Sequence, residues 1–504
     1  MRSWRTASVV LLSFSSGLPL GLVWYAIPDW MRDIGVDIRV VGILTLAQAP
    51  WAFKVLWSPL MDRYVPPFWG RRRGWMAISQ VALVACGLLL AGVGNHPDAI
   101  WVVGAIALAT ALASASQDIA YDAYTVDVLR PEEQGAAAGA RTASYRAAMA
   151  VSGGAAITAA AQWGWPFVNL LLAALYLPML VLTWKAPEPE YVQPPATLRD
   201  AVWHPFLELL SRPRALEILA FVVLYKFADQ LAQALTRPFL IDMGYNAYHR
   251  GVALATVGLV GTVGGALIGG WVTTIVGLGR SLWIFGVLQI FSNLGYFVLA
   301  RASGTNVPLM YAATSFELFT SGLGTGAFSV LLLRLTKKRF SATQYALFSS
   351  LFALPRLAAG PVTGFAVHAI GWPAFYLATM VIGVPGLVML ARFVPPGVRD
   401  PQFAIDDGGA PEGTMPAGNL VARGLAGALA SGACALAILV LLAGLQNWSS
   451  TPERGMDVRG AFVGIVRPVS VTDWVQLAGI VAVGAIGGLA VAATAASRGG
   501  RPPE

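Results

Sequence analysis

The sequence predicts an all-α protein that lives inside a membrane, built as two six-helix halves followed by one further helical pair. Three observations carry this. Only 12% of the 504 residues are charged while 56% are apolar, whereas soluble domains have about 25% charged residues. Apolar stretches of spanning length recur along the whole chain, and short motifs near residue 164 return near residue 371. So little charge cannot clothe a soluble multidomain enzyme, and that class is excluded. Cys86 and Cys434 both sit in apolar stretches, which excludes a disulfide framework and offers no zinc spacing. With four histidines and no His/Cys cluster, neither a metal site nor a cofactor is expected.

A spanning helix needs about 20 mostly apolar residues. Spans are expected near 7–28, 40–60, 75–94, 100–128, 136–160 and 165–184, then near 215–240, 251–276, 281–300, 307–333, 342–368 and 372–393, and finally near 420–444 and 474–496, fourteen in all. Arg2 and Arg5 give the first the look of a signal peptide, but its apolar run is too long and no small-residue cleavage site follows. Within it Pro19, after Ser15-Ser16-Gly17, is expected to break the helix and expose backbone groups to a cavity. The domain reading is a six-helix bundle over 1–184, a cytoplasmic linker over 185–213, a second six-helix bundle over 214–393, a linker over 394–418 and a transmembrane hairpin over 419–496. An even span count puts both termini on one side. That side collects 20 of the 34 Lys and Arg residues, including Arg71, Arg72 and Arg73; the other collects 8, among them Arg237 and Arg250, and 6 lie within spans. The positive-inside rule makes the first side cytoplasmic, with 446–473 on the far side. The +8 net charge is thus topology, and no nucleic-acid partner is expected.

Gly164-Trp165-Pro166 recurs as Gly371-Trp372-Pro373, each followed twelve residues later by Pro178 and Pro385, at an offset of 207; Gln134, Arg146 and Gly154 match Gln344, Arg356 and Gly364 at an offset of 210. Matched offsets in a matched span order indicate two six-helix repeats, the 6+6 plan of the major facilitator superfamily. The last two spans have no counterpart.

Ionisable groups at membrane depth are costly and are functional candidates by default. At ~1.5 Å rise per residue, Lys54, Asp122 and Arg141 lie about 12 Å in from the cytoplasmic boundary, and Asp118 and Arg146 about 18 Å. A carboxylate layer on span four therefore faces a cationic one on spans two and five, with Asp118, Asp122 and Thr125 on one helix face. On span seven Lys226, Asp229, Gln230 and Gln233 form a second polar stripe, and Glu317 and Arg356 also approach the midplane. Carboxylates beside basic groups in a wet cavity can exchange protons, so Asp118, Asp122, Asp229 and Glu317 are proton-coupling candidates. Gln117, Tyr121, Tyr124, Tyr145, Arg146, Lys226, Gln230, Gln233 and Arg356 are substrate-binding candidates, on a cavity expected between spans one, four, five, seven and ten. Asp62 and Arg63 with the Arg71, Arg72, Arg73 cluster and Asp127 form a candidate cytoplasmic gate that breaks when the halves rock. No Walker A loop or Gly-x-Ser-x-Gly sequence is present, so ATP bound by this chain is not the energy source.

Several stretches resemble the AmpG muropeptide permeases, a branch of the major facilitator superfamily. They are Phe14-Ser-Ser-Gly-Leu-Pro-Leu20, Phe53-Lys54-Val-Leu-Trp-Ser-Pro-Leu-Met-Asp62-Arg63-Tyr64, Gly70-Arg-Arg-Arg-Gly-Trp75, Ser116-Gln117-Asp118-Ile-Ala-Tyr-Asp122-Ala-Tyr124, Arg339-Phe-Ser-Ala-Thr-Gln344-Tyr-Ala346 and Gly360-Pro361. The resemblance implies a monomeric importer in the bacterial inner membrane. Its cargo would be anhydromuropeptides (GlcNAc-1,6-anhydroMurNAc peptides), taken up with protons for peptidoglycan recycling and tied to β-lactamase induction. A related branch carries acetyl-CoA, so another bulky polar cargo is the alternative; a transporter-fold sensor is a second. The loop 445–473 and the acidic linker 400–412 match no motif of the resemblance. An enzyme is not expected, because no nucleophile–base pair or metal constellation is present.

Overall fold

Inside a bilayer every backbone polar group must be satisfied within the protein, and helices do this locally. The computed structural model describes residues 3–36, 45–93, 99–212, 214–302, 304–401, 416–450, 457–469 and 471–499, and among them every regular element is a helix. The first half contains α1 (Trp4–Asp33), α2 (Ala49–Phe53), α3 (Ser58–Arg63), α4 (Arg71–Val93), α5 (Ile100–Val128), α6 (Pro131–Ala150), α7 (Ala156–Trp163) and α8 (Trp165–Lys185). After a linker helix, α9 (Leu198–Leu210), the second half contains α10 (Ala215–Ala234), α11 (Thr236–Asp242), α12 (Tyr248–Val276), α13 (Leu278–Arg301), α14 (Val307–Leu335) and α15 (Ser341–Phe393). The chain ends with α16 (Ala417–Ser450), α17 (Val458–Val466) and α18 (Val471–Gly499).

Ten helical segments among the described residues are long and apolar enough to cross a membrane. The segments expected near 40–60, 136–160, 215–240 and 342–368 are not among them. Residues 37–44 of the second lie outside the described residues; the rest is the broken pair α2 and α3, each opened by a proline, Pro50 and Pro59, around a tight turn at Lys54–Leu56. Proline starts a helix well, because its missing N–H has no intrahelical partner to lose there. Pro19 does not break α1 as expected: the helix runs through it, and the irregularity is a π turn at Leu22–Ala26. The expected loop 445–473 carries α17, whose Ala461 and Ile465 pack with Val440 of α16.

The packing partners of the first half recur in the second. Helix α1 lies on α6 as α10 lies on α15, and α4 lies on α5 as α13 lies on α14. The repeated Gly-Trp-Pro turns are the same turn in the backbone: Gly164 has φ 76° and ψ 156°, Gly371 φ 73° and ψ 165°. That region is nearly closed to residues with a β-carbon. Each turn lets a tryptophan fold back into the core. Trp165 stacks on Trp30 at 5.4 Å between ring centroids, and Trp372 packs on Phe239 at 5.0 Å.

The halves meet along α6 and α12, and along α3 and α5 against α15. The first contact is backbone on backbone. A β-carbon on Gly139 would sit 2.4 Å from the Ala266 carbonyl oxygen, and one on Gly135 would sit 2.3 Å from the Thr274 hydroxyl. Small residues allow this close approach. Gly139→Leu is therefore expected to destabilise the protein by the overpacking cost of about 1–3 kcal/mol, whereas Gly92→Leu, with nothing within 4 Å of the new β-carbon, changes little. Thermal unfolding of the two variants in one detergent checks this; equal midpoints would show that the contact is dispensable.

The linker helix α9 is started by a capping box, in which the Thr197 hydroxyl accepts from Asp200 N and Asp200 accepts from Thr197 N. Its Phe206, Leu209 and Leu210 are buried in the core that also holds Met61 of α3 and Ala493 of α18. The C-terminal hairpin is thus docked, through α9, beside α3.

Candidate functional site

The sequence collects charge at the end of the molecule where α3 ends and α4 begins, called here the basic end. Asp62, fully buried, is the last acidic group of α3 and reaches across to the start of α15. Its Oδ2 accepts from Thr343 N (2.8 Å) and from the Thr343 hydroxyl (2.7 Å), and Oδ1 accepts from Ala342 N (3.4 Å). The first N–H groups of a helix have no partner in their own helix and favour a carboxylate. Asp62 is thus a helix cap supplied by the other half. Arg72 holds it in place: Nη2 donates to Asp62 Oδ1 (2.8 Å) and to the Ser341 hydroxyl (2.6 Å), and Nε donates to Asp127 Oδ2 (2.9 Å). Arg71 reaches Asp127 at 3.9 Å. Two expected members of this group lie elsewhere. Arg63 stacks over the Tyr64 ring, and Arg73 binds the Trp184 and Ala186 carbonyls and Glu188, all within the first half and its linker.

Around this junction the linkers are tied down. Arg212 donates to the Leu335 carbonyl (2.6 Å) and to Gln344 (3.3 Å); burial pulls its pKa down to about 10, against the attraction of Glu208. Asp400 in the second linker accepts from Arg334 (2.7 Å). Burial pushes its carboxyl up, but the Arg334 and Leu278 hydrogen bonds prevail and hold it below the usual range. A cavity of about 990 Å³ outside the junction is lined by charges of both signs, including Arg5, Glu132, Lys338 and Asp400.

Deeper, the layer on α5 divides into two unlike carboxylates. Asp122 accepts from Arg141 (2.6 Å) and Lys54 (3.4 Å), both buried or nearly so. Asp118, one turn away, has no ion pair within 4 Å among the described residues and lies beside Ser16. The expected pairing of Asp118 with Arg146 is not present. Arg141 and Arg146 are five residues apart, roughly 140° around a helix; Arg141 faces α5, and Arg146 is exposed on the cavity between the halves.

In the second half Lys226 donates to Asp229 (2.9 Å), to Gln289 and to the Ser321 carbonyl (3.2 Å). Gln233 donates to Glu317 (2.8 Å) and to the Ser321 hydroxyl (2.9 Å), leaving Glu317 Oε2 without a hydrogen bond. Gln230 is half-buried and makes none of these contacts. The side chain of Arg356 lies outside the described residues.

A cavity of about 840 Å³ separates the halves beyond these layers, toward the far end. Of the expected binding residues whose side chains are described, only Arg146 and Gln233 line it. Gln117 is buried and donates to Ser15 (2.6 Å), the Tyr121 hydroxyl donates to the Val9 carbonyl (2.8 Å), and the Tyr124 hydroxyl bonds Ser8 (3.1 Å). These three stitch α5 to α1, so span four does not line the cavity as expected. Tyr145 is half-buried and is not among the lining residues. The residues that sequence reasoning passed over are Arg237, Arg250 and Tyr296 in the cavity, Gln289 under Lys226, and Ser341 and Thr343 at the junction. For the last two a signal existed, since uncapped helix N-termini seek a carboxylate. The two arginines looked like ordinary loop charges.

Two packed helical halves, bonded at one end and parted by a cavity at the other, with charges buried between, define a membrane transport protein. The chain belongs to the Major Facilitator Superfamily, whose family model matches residues 9–360, and within it to the family of AmpG-type muropeptide permeases. It is 44% identical over 393 residues to the anhydromuropeptide permease of Escherichia coli (strain K12), covering 77% of this chain and 79% of that one. A Rickettsia felis protein bearing the name AmpG 4 is 28% identical, covering 77% of this chain and 96% of its own. Among solved structures, the human organic anion transporter MFSD10 aligns with a TM-score of 0.58 at 15% identity, and an outward-facing bacterial homologue of ferroportin with 0.59 at 13%; each match covers 77% of this chain, with 99% and 98% of the two structures. These two share the fold. The protein is a multi-pass membrane carrier and not an enzyme.

Proposed function

We propose that the protein imports anhydromuropeptides across the bacterial inner membrane by alternating access, driven by protons, for peptidoglycan recycling. The observation that carries this reading is the closed junction at Asp62 opposite an open cavity, with acidic groups between them. The cargo follows from the anhydromuropeptide permease relative. In this reading the chain spans the bilayer fourteen times as two six-helix bundles and a hairpin, acts as a monomer, and has both termini in the cytoplasm. The basic end is cytoplasmic, so this state faces the periplasm. Asp62, Arg72 and Asp127, with Arg71, act as the cytoplasmic gate together with Ser341 and Thr343.

Asp118 is the first proton-coupling candidate, because Asp122 is held by two cations; Glu317, next to the cavity residue Gln233, is the second, and Asp229 is neutralised by Lys226. Uptake of radiolabelled anhydromuropeptide into proteoliposomes, with and without an imposed proton gradient, tests the function. Uptake that ignores the gradient would remove the coupling, and no uptake would remove the cargo. For orientation, Val469→Cys, 94% exposed, in a background lacking the exposed Cys434, is expected to react with an impermeant reagent in intact spheroplasts. Protection until lysis would invert the topology.

A further inference from the structure

We propose that Arg146, Arg237 and Arg250 form an anion-binding mouth that recognises the free carboxylates of the cargo's peptide; this rests on the muropeptide reading above. Three observations carry it. Among the described residues, the lining of the far-end cavity contains these three arginines and no Asp, Glu, Lys or His. None of the three forms an ion pair within 4 Å among the described residues, whereas Lys54, Arg72, Arg141 and Lys226 each reach a carboxylate at 3.4 Å or less. The nearest acidic residue in sequence, Asp242, accepts from the Trp372 indole (2.8 Å), and Arg250 is steadied by its bond to the Tyr245 carbonyl.

Three like charges lining one recess create a positive potential that concentrates anions. The guanidinium fork matches a carboxylate with two parallel hydrogen bonds, so arginine selects it over a neutral amide of similar shape. Placement adds a second consequence. Arg146 stands on α6 in the first half, Arg237 on α11 and Arg250 on α12 in the second. A peptide whose carboxylates bridge them pulls the far ends of the two halves together. The same contacts that recognise the cargo thereby favour closure of the mouth behind it. A cargo without carboxylates lacks this grip.

The test compares GlcNAc-1,6-anhydroMurNAc-tripeptide with the same compound carrying amidated carboxylates, each titrated calorimetrically against the full-length protein in lipid nanodiscs. The wild type is expected to bind the free acid roughly tenfold or more tightly, the scale of hydrogen bonds to charged groups. Arg237→Gln, Arg250→Gln and Arg146→Gln each reduce that preference, the free acid losing more affinity than the amidated compound, and Arg237→Lys retains part of it. Equal wild-type affinity for the two compounds overturns the proposal and leaves the muropeptide function standing. Gln variants that keep the full preference overturn it as well. If the wild type binds neither compound, the muropeptide reading falls first and takes this proposal with it.

Discussion

Asp62→Ala is expected to open the basic end. The Asp62 carboxylate closes it by accepting from the Thr343 amide and hydroxyl and from the Ala342 amide, all on the other half. Its removal leaves these donors and the Arg72 guanidinium short of a partner in the closed state only, since water serves them once the halves part. Breaking a buried charged network in this way costs about 3–5 kcal/mol, and about 1.4 kcal/mol is tenfold in an equilibrium. The closed-to-open ratio should therefore fall by roughly a hundredfold to several thousandfold. Spin labels at Tyr64→Cys and Lys338→Cys, both exposed and on opposite halves, read the gap in a background lacking Cys434. A shift to long distances is expected in the variant, with Asp62→Asn intermediate. An unchanged distance distribution would mean that the junction does not hold the end shut.

The two carboxylates of α5 should fail in different ways. Asp122 neutralises Lys54 and Arg141, so Asp122→Asn leaves two cations short of their counter-charge within the membrane-embedded core. That imbalance is expected to cost about 3–5 kcal/mol of stability, visible as a lower unfolding midpoint and restored in part by adding Lys54→Gln. Asp118 has no such ion pair, so Asp118→Asn should stay folded. It is expected to lose gradient-driven accumulation while still exchanging labelled for unlabelled cargo, because Asn keeps the shape and cannot carry the proton. If Asp118→Asn still concentrates cargo and Glu317→Gln does not, coupling belongs to the second half. If both variants concentrate cargo, neither carboxylate drives transport.

Composition and periodicity made the helical membrane fold legible, and the Gly-Trp-Pro repeat pointed to a turn that the backbone indeed makes twice. The depth arithmetic placed Lys54, Asp122 and Arg141 at one level, and they meet there. It failed for Arg146 because depth says nothing about azimuth: five residues along a helix turn a side chain away from its expected partner. Tyr121, Tyr124 and Gln117 failed for a related reason. A polar helix face looks the same in sequence whether it borders a cavity or another helix, and here serines and a carbonyl of α1 consume those groups. Arg237 and Arg250 were invisible because a charge just past a helix end looks like a topology signal until the fold turns it inward. The α15 end of the junction required knowing which helix start lies opposite Asp62, and that pairing spans some 280 residues.

The capping of α15 by Asp62 also gives the cycle a solvent term. Closing the basic end strips water from a carboxylate and from the amides of a helix start, and opening it returns that water. The equilibrium between the two states must then respond to water activity itself. Osmolytes excluded from protein surfaces favour the state that exposes less of it, so osmotic stress on the basic side would hold this end shut without touching any residue of the cargo site.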